Sequence, residues 1–191
     1  MLEFKIYKTK VRLCFSFFLV LALFSFPSSR TFGLAAIAAC GIHEFSHLFI
    51  MLLFGISPEI ITFYCAGIQI NSTQTDKAST WDRILILSAG CAANFIAAVA
   101  FGVYGNATAS VINLLTGVFN LLPIGELDGA ALLKMLFIRI CRPERVDNAL
   151  VVSGVISAAI YAAAVIIMGS GVSFVLVTTG IYIVAVCFFR D

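Results

Sequence analysis

The chain has 191 residues, of which 61% are hydrophobic and only 12% charged, and its formal net charge at pH 7 is +2. A soluble domain of this length carries roughly twice that charged fraction, so a mean hydropathy of +1.07 points to an integral membrane protein forming one domain with no sizeable soluble appendage. So small a charge, with no basic patch interleaved with aromatics, excludes nucleic acid as the expected partner.

At the N-terminus, Lys5, Lys8, Lys10 and Arg12 precede the apolar run Leu13 to Phe26. The pattern imitates a secretory signal, but Phe26-Pro27-Ser28-Ser29-Arg30 offers no small-residue cleavage site. The expectation is a retained first span near 12–27 acting as a signal anchor. Six cysteines are scattered without CxxC spacing, so no disulfide framework is expected.

The second apolar run, near 31–55, holds both histidines of the chain within His43-Glu44-Phe45-Ser46-His47. Positions four apart on a helix differ by about 40° in azimuth, so the two imidazoles leave one face. Glu44 stands beside them, where it can act on a water held by the same metal. Polar groups in hydrocarbon are costly, which argues for function. Cys40, one turn earlier, is placed to share the face of His43.

Ile56 to Thr80 is too polar to span. Ile60 to Tyr64 and Gly67-Ile68-Gln69-Ile70 read as two short strands around a turn. The hairpin is either a plain connector or an open edge that captures an unwound substrate by strand addition at Gly67, Ile68, Gln69 and Ile70.

Further spans are expected near 82–105, 107–125, 149–168 and 171–189. The fold class is therefore an all-α polytopic membrane protein of about six transmembrane helices, with a small β-hairpin between the second and third. Residues 31–140 form its core, and the helices at 149–189 pack and enclose. Gly102, Gly117 and Gly154 read as helix-packing contacts. The fourth span is broken, running into Pro123, Gly125, Asp128 and Gly129; such backbone is tolerated at membrane depth where protein or a water-filled cavity surrounds it. Lys134 to Asn148 mixes basic and apolar residues in the manner of a membrane interface.

Placing the N-terminus in the cytoplasm leaves eleven Lys and Arg on that side and only Arg30 outside, a strong positive-inside bias. Both termini are then cytoplasmic in the cell membrane. Glu44 lies about 13 residues, or ~20 Å, below the outer end of its helix. The centre is buried but nearer the cytoplasm, and water must reach it by a polar channel.

A catalytic zinc takes three protein ligands and keeps a fourth position open. With no third histidine, a carboxylate is required, and the acids within apolar sequence are Glu126 and Asp128. The short Asp side chain followed by Gly129 suits a tight break that leaves backbone space beside the metal. Glu126 is either the ligand in its place, an outer partner, or a residue facing the cavity.

At these residues the sequence resembles the site-2 protease family of intramembrane zinc metalloproteases. HEFSH matches the family's HExxH on an early span, and NLLPIGELDG, residues 120 to 129, matches its later N-x-x-P…L-D-G element. Ser88 to Asn94 is similar to its A-G-P-x-x-N element, with Cys91 in the position of the proline. The resemblance covers about residues 31–140. It implies His43, His47 and Asp128 as ligands of one Zn²⁺ and Glu44 as general base. With neither a PDZ nor a cystathionine-synthase-type domain, the arrangement most resembles the minimal six-span branch, which includes a sporulation protease acting on a pro-sigma factor.

Beside this, Asn94 either donates to a scissile carbonyl or braces neighbouring helices. Asn120 either stabilises the broken span or touches substrate, and Pro123 sets the break. The implied activity is hydrolysis of a peptide bond in or near a substrate's transmembrane segment. Its partners are a membrane-embedded or membrane-associated protein and the bilayer. The alternative is a non-catalytic membrane protein that binds metal or a client through a retained site.

Overall fold

A computed structural model of the chain describes residues 1–7, 9–15, 17–18, 30–64, 67–124, 127–140, 146, 148 and 151–156. The chain forms two compact units, Met1–Phe119 and Asn120–Asp191.

The first unit begins with strands where a charged leader was expected. Apolar and charged residues alternate in Leu2-Glu3-Phe4-Lys5-Ile6 and Lys10-Val11-Arg12-Leu13, the period of a pleated strand. These segments form β1 (Leu2–Ile6) and β2 (Thr9–Leu13), an antiparallel hairpin. Tyr7, in its two-residue loop, takes the left-handed φ of 55° that such tight turns require. Glu3 faces Arg12 across the pair, and Arg12 Nε donates to its carboxylate at 2.8 Å. The first span, expected to start near residue 12, is corrected there: Arg12 and Leu13 are strand. The remainder of that span lies largely outside the described residues.

The hairpin expected between the second and third spans is present as β3 (Ile60–Tyr64) and β4 (Gly67–Asn71). It does not stand alone. β2 runs parallel to β3, and the sheet has the order β1-β2-β3-β4. Parallel neighbours need a long crossover, and here it carries α1 (Arg30–Leu53).

After the sheet comes the short helix α2 (Thr73–Lys77), capped by Ser72. The Glu59 carboxylate accepts both the backbone N–H and the hydroxyl of Thr73, which ties α2 to the entry of β3. Next, α3 (Thr80–Val103) opens with a capping box in which Ser79 and Asp82 satisfy each other's backbone N–H. Finally, α4 (Ala107–Asn120) follows a turn at Gly105, whose φ is +78°.

At 24 residues each, α1 and α3 measure ~36 Å, enough for a ~30 Å hydrocarbon core. Among the described residues, these two helices are long and apolar enough to cross a membrane, and α4 is a shorter apolar helix. The expected spans near 149–168 and 171–189 lie almost wholly outside the described residues.

Met51, Ile56 and Ile86 form a buried cluster, with Ile50, Ile70 and Ala78 packed against it. It joins the end of α1, the β4 strand and the start of α3. Gly117 gives room to the Phe95 ring, which a Cβ would meet at 2.8 Å, and Gly102 lies beside Ser110. Both glycines therefore act as the packing contacts expected of them; Gly154 is buried.

In the second unit, Asn120 ends α4 and an irregular stretch through Pro123 leads to α5 (Asp128–Ile140). Ile124, almost fully buried, donates to Leu122 O, and Leu127 O accepts from Ala130 and Ala131. A Cβ on Gly129 would stand 2.0 Å from the Leu121 carbonyl oxygen. The space that Gly129 leaves is thus filled by backbone of its own turn, the tight break expected after Asp128. Glu126 is outside the described residues.

Candidate metal centre

The site is built along one seam of the first unit. On α1, Ala39, His43, His47 and Met51 are all buried, a stripe of residues each four apart that keeps one face of the helix. On α3 the buried residues are Ile86, Gly90, Cys91, Asn94 and Ala98. Ridges spaced by four pack well into each other's grooves, and Gly90 lets the backbones close in.

His43 and His47 are only 4% and 8% exposed. Their Nε2 atoms lie 3.1 Å apart. Nδ1 of His47 is 2.7 Å from Ile86 O, and Nδ1 of His43 is 2.7 Å from Asn94 Oδ1. A carbonyl oxygen only accepts, so His47 Nδ1 donates. Asn94 Nδ2 donates to Ala39 O and to Asn113 Oδ1, both at 3.0 Å. That fixes the Asn94 amide with its oxygen toward His43, whose Nδ1 must also donate. Asn113 is held in turn by its bond to Ala109 O at 2.9 Å.

Both histidines therefore carry their proton on Nδ1, and two Nε2 lone pairs converge. Two acceptors at 3.1 Å repel unless a proton or a metal cation stands between them. Nitrogens ~2.0–2.1 Å from a tetrahedral metal are about 3.3 Å apart, close to the separation seen. Gly90 supplies the second test. A Cβ there would stand 2.4 Å from His47 Nε2 and 2.7 Å from His43 Nε2. The volume left by the missing methyl adjoins both donor atoms, and the donor set fits zinc.

Glu44 follows His43 on α1 and is half-buried. Asp128, half-buried, opens α5 in the second unit. Asn94, expected at a substrate carbonyl or as a brace, is completely buried with both amide hydrogens engaged; its partners are His43 and the backbone and side chains of neighbouring helices. Asn120 is the last residue of α4, partly buried. Gly67, Ile68, Gln69 and Ile70 lie in β4, at one end of the strand order, with Gln69 exposed between half-buried isoleucines.

Cys40 is exposed on α1 and does not share the buried face of His43. Cys91 does: it is 2% exposed, and its Sγ lies within 4.8 Å of a ring nitrogen of His43. No disulfide joins Cys14, Cys40 and Cys91. Two buried residues of this seam, Cys91 and Asn113, were not expected in the site, Cys91 having entered only as the residue in a motif's proline position. The position of Cys91, three before Asn94 on one helix face, was the available signal. For Asn113 it was an amide set between Ile112 and Leu114.

A buried, tautomer-fixed histidine pair between two long apolar helices, beside a small sheet, makes up a candidate metal centre. No protein-family profile and no curated protein sequence matches the chain. Among solved structures the chain is similar to the Site-2 Protease from Methanocaldococcus jannaschii, with a TM-score of 0.64 and 19% identity over 97% of this chain and 93% of that one. The fold is that of a site-2 protease over nearly the whole of both chains, as the resemblance in the motifs implies.

Proposed function

We propose that the chain is an intramembrane zinc metalloendopeptidase that hydrolyses a peptide bond in or near the transmembrane segment of a protein substrate. The observation that carries this reading is the convergence of His43 Nε2 and His47 Nε2 at 3.1 Å with both Nδ1 atoms donating elsewhere. HEFSH, the LDG element and the site-2 protease fold support it. His43 and His47 hold the ion, and Asp128, carried over from the LDG element, is the third ligand. When bound, zinc supplies the Lewis acidity that polarises a carbonyl and makes water a competent nucleophile near neutral pH.

The remaining steps belong to the chain. Asn94 and the Ile86 carbonyl orient the two imidazoles and keep Nε2 basic. Glu44 takes the proton of the attacking water and passes it to the leaving amine. No covalent acyl-enzyme forms. A substrate helix hides its carbonyls in its own hydrogen bonds, so it must unwind first. β4 offers an edge on which the opened strand is held through Gly67, Ile68, Gln69 and Ile70. The protein is multi-pass with both termini cytoplasmic, on the charge bias of its loops.

The test is cleavage of a candidate substrate in reconstituted liposomes together with zinc per chain. Wild type binds near-stoichiometric zinc and cleaves. Glu44→Gln keeps the metal and loses ~10²–10⁴-fold in rate, whereas Asp128→Ala weakens zinc and abolishes cleavage. Undiminished cleavage by Glu44→Gln removes Glu44 from the mechanism. Stoichiometric zinc with no cleavage of any membrane client leaves a metal- or client-binding protein.

A further inference from the structure

β1 closes one end of the strand order, and no described strand lies beyond it. All five of its residues are exposed. It carries neither a proline nor a bulge, devices that keep a free edge from pairing with another chain. The direction of its backbone groups follows from the turn. Ile6 and Thr9 flank a two-residue loop, and the pair flanking such a loop exchanges both backbone hydrogen bonds. Alternation then turns the N–H and C=O of Leu2, Phe4 and Ile6 toward β2, and those of Glu3 and Lys5 outward.

We propose that two copies of the chain pair through β1, antiparallel and edge to edge, with Phe4 on the two-fold axis. Glu3 then stands opposite Lys5 of the second copy. Four backbone hydrogen bonds close, Glu3 N–H to Lys5 O and Lys5 N–H to Glu3 O, each occurring twice as an isologous contact requires. The side chains agree with this register. Glu3 and Lys5 are opposite in charge, a favourable pair across strands. Within one copy Lys5 faces Lys10, a like-charge pair that Glu3 of the second copy offsets. On the other face Phe4 meets Phe4 and Leu2 meets Ile6, three side chains exposed on a single copy.

The membrane supplies an independent check. Phe4, Val11, Ile61 and Ile70 form one row across the sheet. Ile70 packs on Met51, Ile56 and Ile86, where α1 ends and α3 begins, so this face is turned toward the helices. A two-fold axis between antiparallel strands is normal to the sheet, and both copies therefore keep α1 and α3 on one side of the joined sheet. The two copies enter one bilayer in the same sense. The contact leaves β4, at the other end of the order, to the role proposed above, and it does not depend on the protease reading.

The experiment uses full-length protein in liposomes, carrying donor or acceptor fluorophores, at several protein-to-lipid ratios. Energy transfer in wild type is expected to rise and saturate as a dimer forms. Lys5→Pro removes an outward donor that β2 does not use, and is expected to abolish the transfer. Lys5→Glu is expected to weaken the dimer on the order of tenfold, because two cross-strand pairs turn repulsive. The same change improves the pairing with Lys10 inside the hairpin, so a loss of dimer there does not come from unfolding. Under oxidation Phe4→Cys is expected to raise disulfide-linked dimer well above the background of the native cysteines, since Cα atoms on the axis lie ~4.5 Å apart. Glu3→Cys is expected to stay at background, its two copies standing diagonally ~7–8 Å apart.

Monomer at every ratio overturns the proposal, and if Lys5→Pro then slows cleavage, the β1 edge belongs to substrate instead. A dimer that survives Lys5→Pro, or tightens in Lys5→Glu, overturns it by placing the interface elsewhere. Glu3→Cys linking as readily as Phe4→Cys overturns the register.

Discussion

Along the seam of α1 and α3, both histidine Nδ1 atoms and the whole Asn94 amide are engaged. Across the sheet the opposite holds: β1 is exposed throughout, and β4 sets exposed Gln69 between half-buried isoleucines. The seam fixes tautomers and donor directions in a low-dielectric setting, where a hydrogen bond is strong and an unpaired group expensive. The sheet keeps open the strand edges that packing removes elsewhere. Under the proposed function, chemistry and recognition make contrary demands within one unit and fall in separate places.

That contrast is open to attack from both sides. The largest effect is expected from Gly90→Ala, whose methyl enters the volume beside both Nε2 atoms. Zinc affinity should fall on the order of 100-fold or more, beyond the usual loss of an outer partner, as read by chelator competition. Wild-type affinity in that variant would mean that close approach of α1 and α3 does not shape the site. Next comes Asn94→Ala, which frees the His43 ring. Zinc affinity should drop ~10–100-fold.

Asn113→Ala tests the outermost link. It leaves one Asn94 N–H unsatisfied, so denaturation should show a stability loss of ~1–3 kcal/mol while stoichiometric zinc is retained.

On the sheet, Gln69→Pro deletes a backbone donor from β4. With one or two substrate hydrogen bonds of ~1 kcal/mol at stake, cleavage should slow roughly tenfold with metal content unchanged. Unaltered kinetics would make the hairpin a plain connector. The smallest effect is expected for Arg12→Ala, since an exposed ion pair such as Arg12–Glu3 contributes ~0–1 kcal/mol; thermal unfolding should barely move.

The histidine pair, its helix and the β3–β4 hairpin were legible in the sequence because each has a local signature: an i, i+4 spacing in an apolar run, or alternation around a turn. The N-terminal hairpin was not. Lys5, Lys10 and Arg12 carry two patterns at once, a basic cluster before an apolar run and a period-two alternation with Leu2, Phe4, Ile6, Val11 and Leu13. Charge was weighed above period, and the partner that decides between them, β3, lies some fifty residues away. Gly129 was legible only in part, for a related reason. A glycine beside an aspartate announces a close approach but not what approaches, and only folding reveals the Leu121 carbonyl.

Asn94 illustrates a third limit. Its type and place were visible, but the choice between touching substrate and holding His43 depends on where two amide hydrogens go. Ala39 and Asn113 take both, and nothing in the local sequence names them.

The parallel pairing of β2 with β3 also has a bearing on sidedness. A sheet cannot be laced through a hydrocarbon layer, because its ladder would have to cross where unpaired backbone is intolerable. Met1 and the β3–β4 hairpin must therefore face the same compartment, whichever it is. An epitope at the N-terminus and a cysteine placed at Gln69 should be reached by impermeant reagents from one side of a sealed vesicle and shielded together from the other.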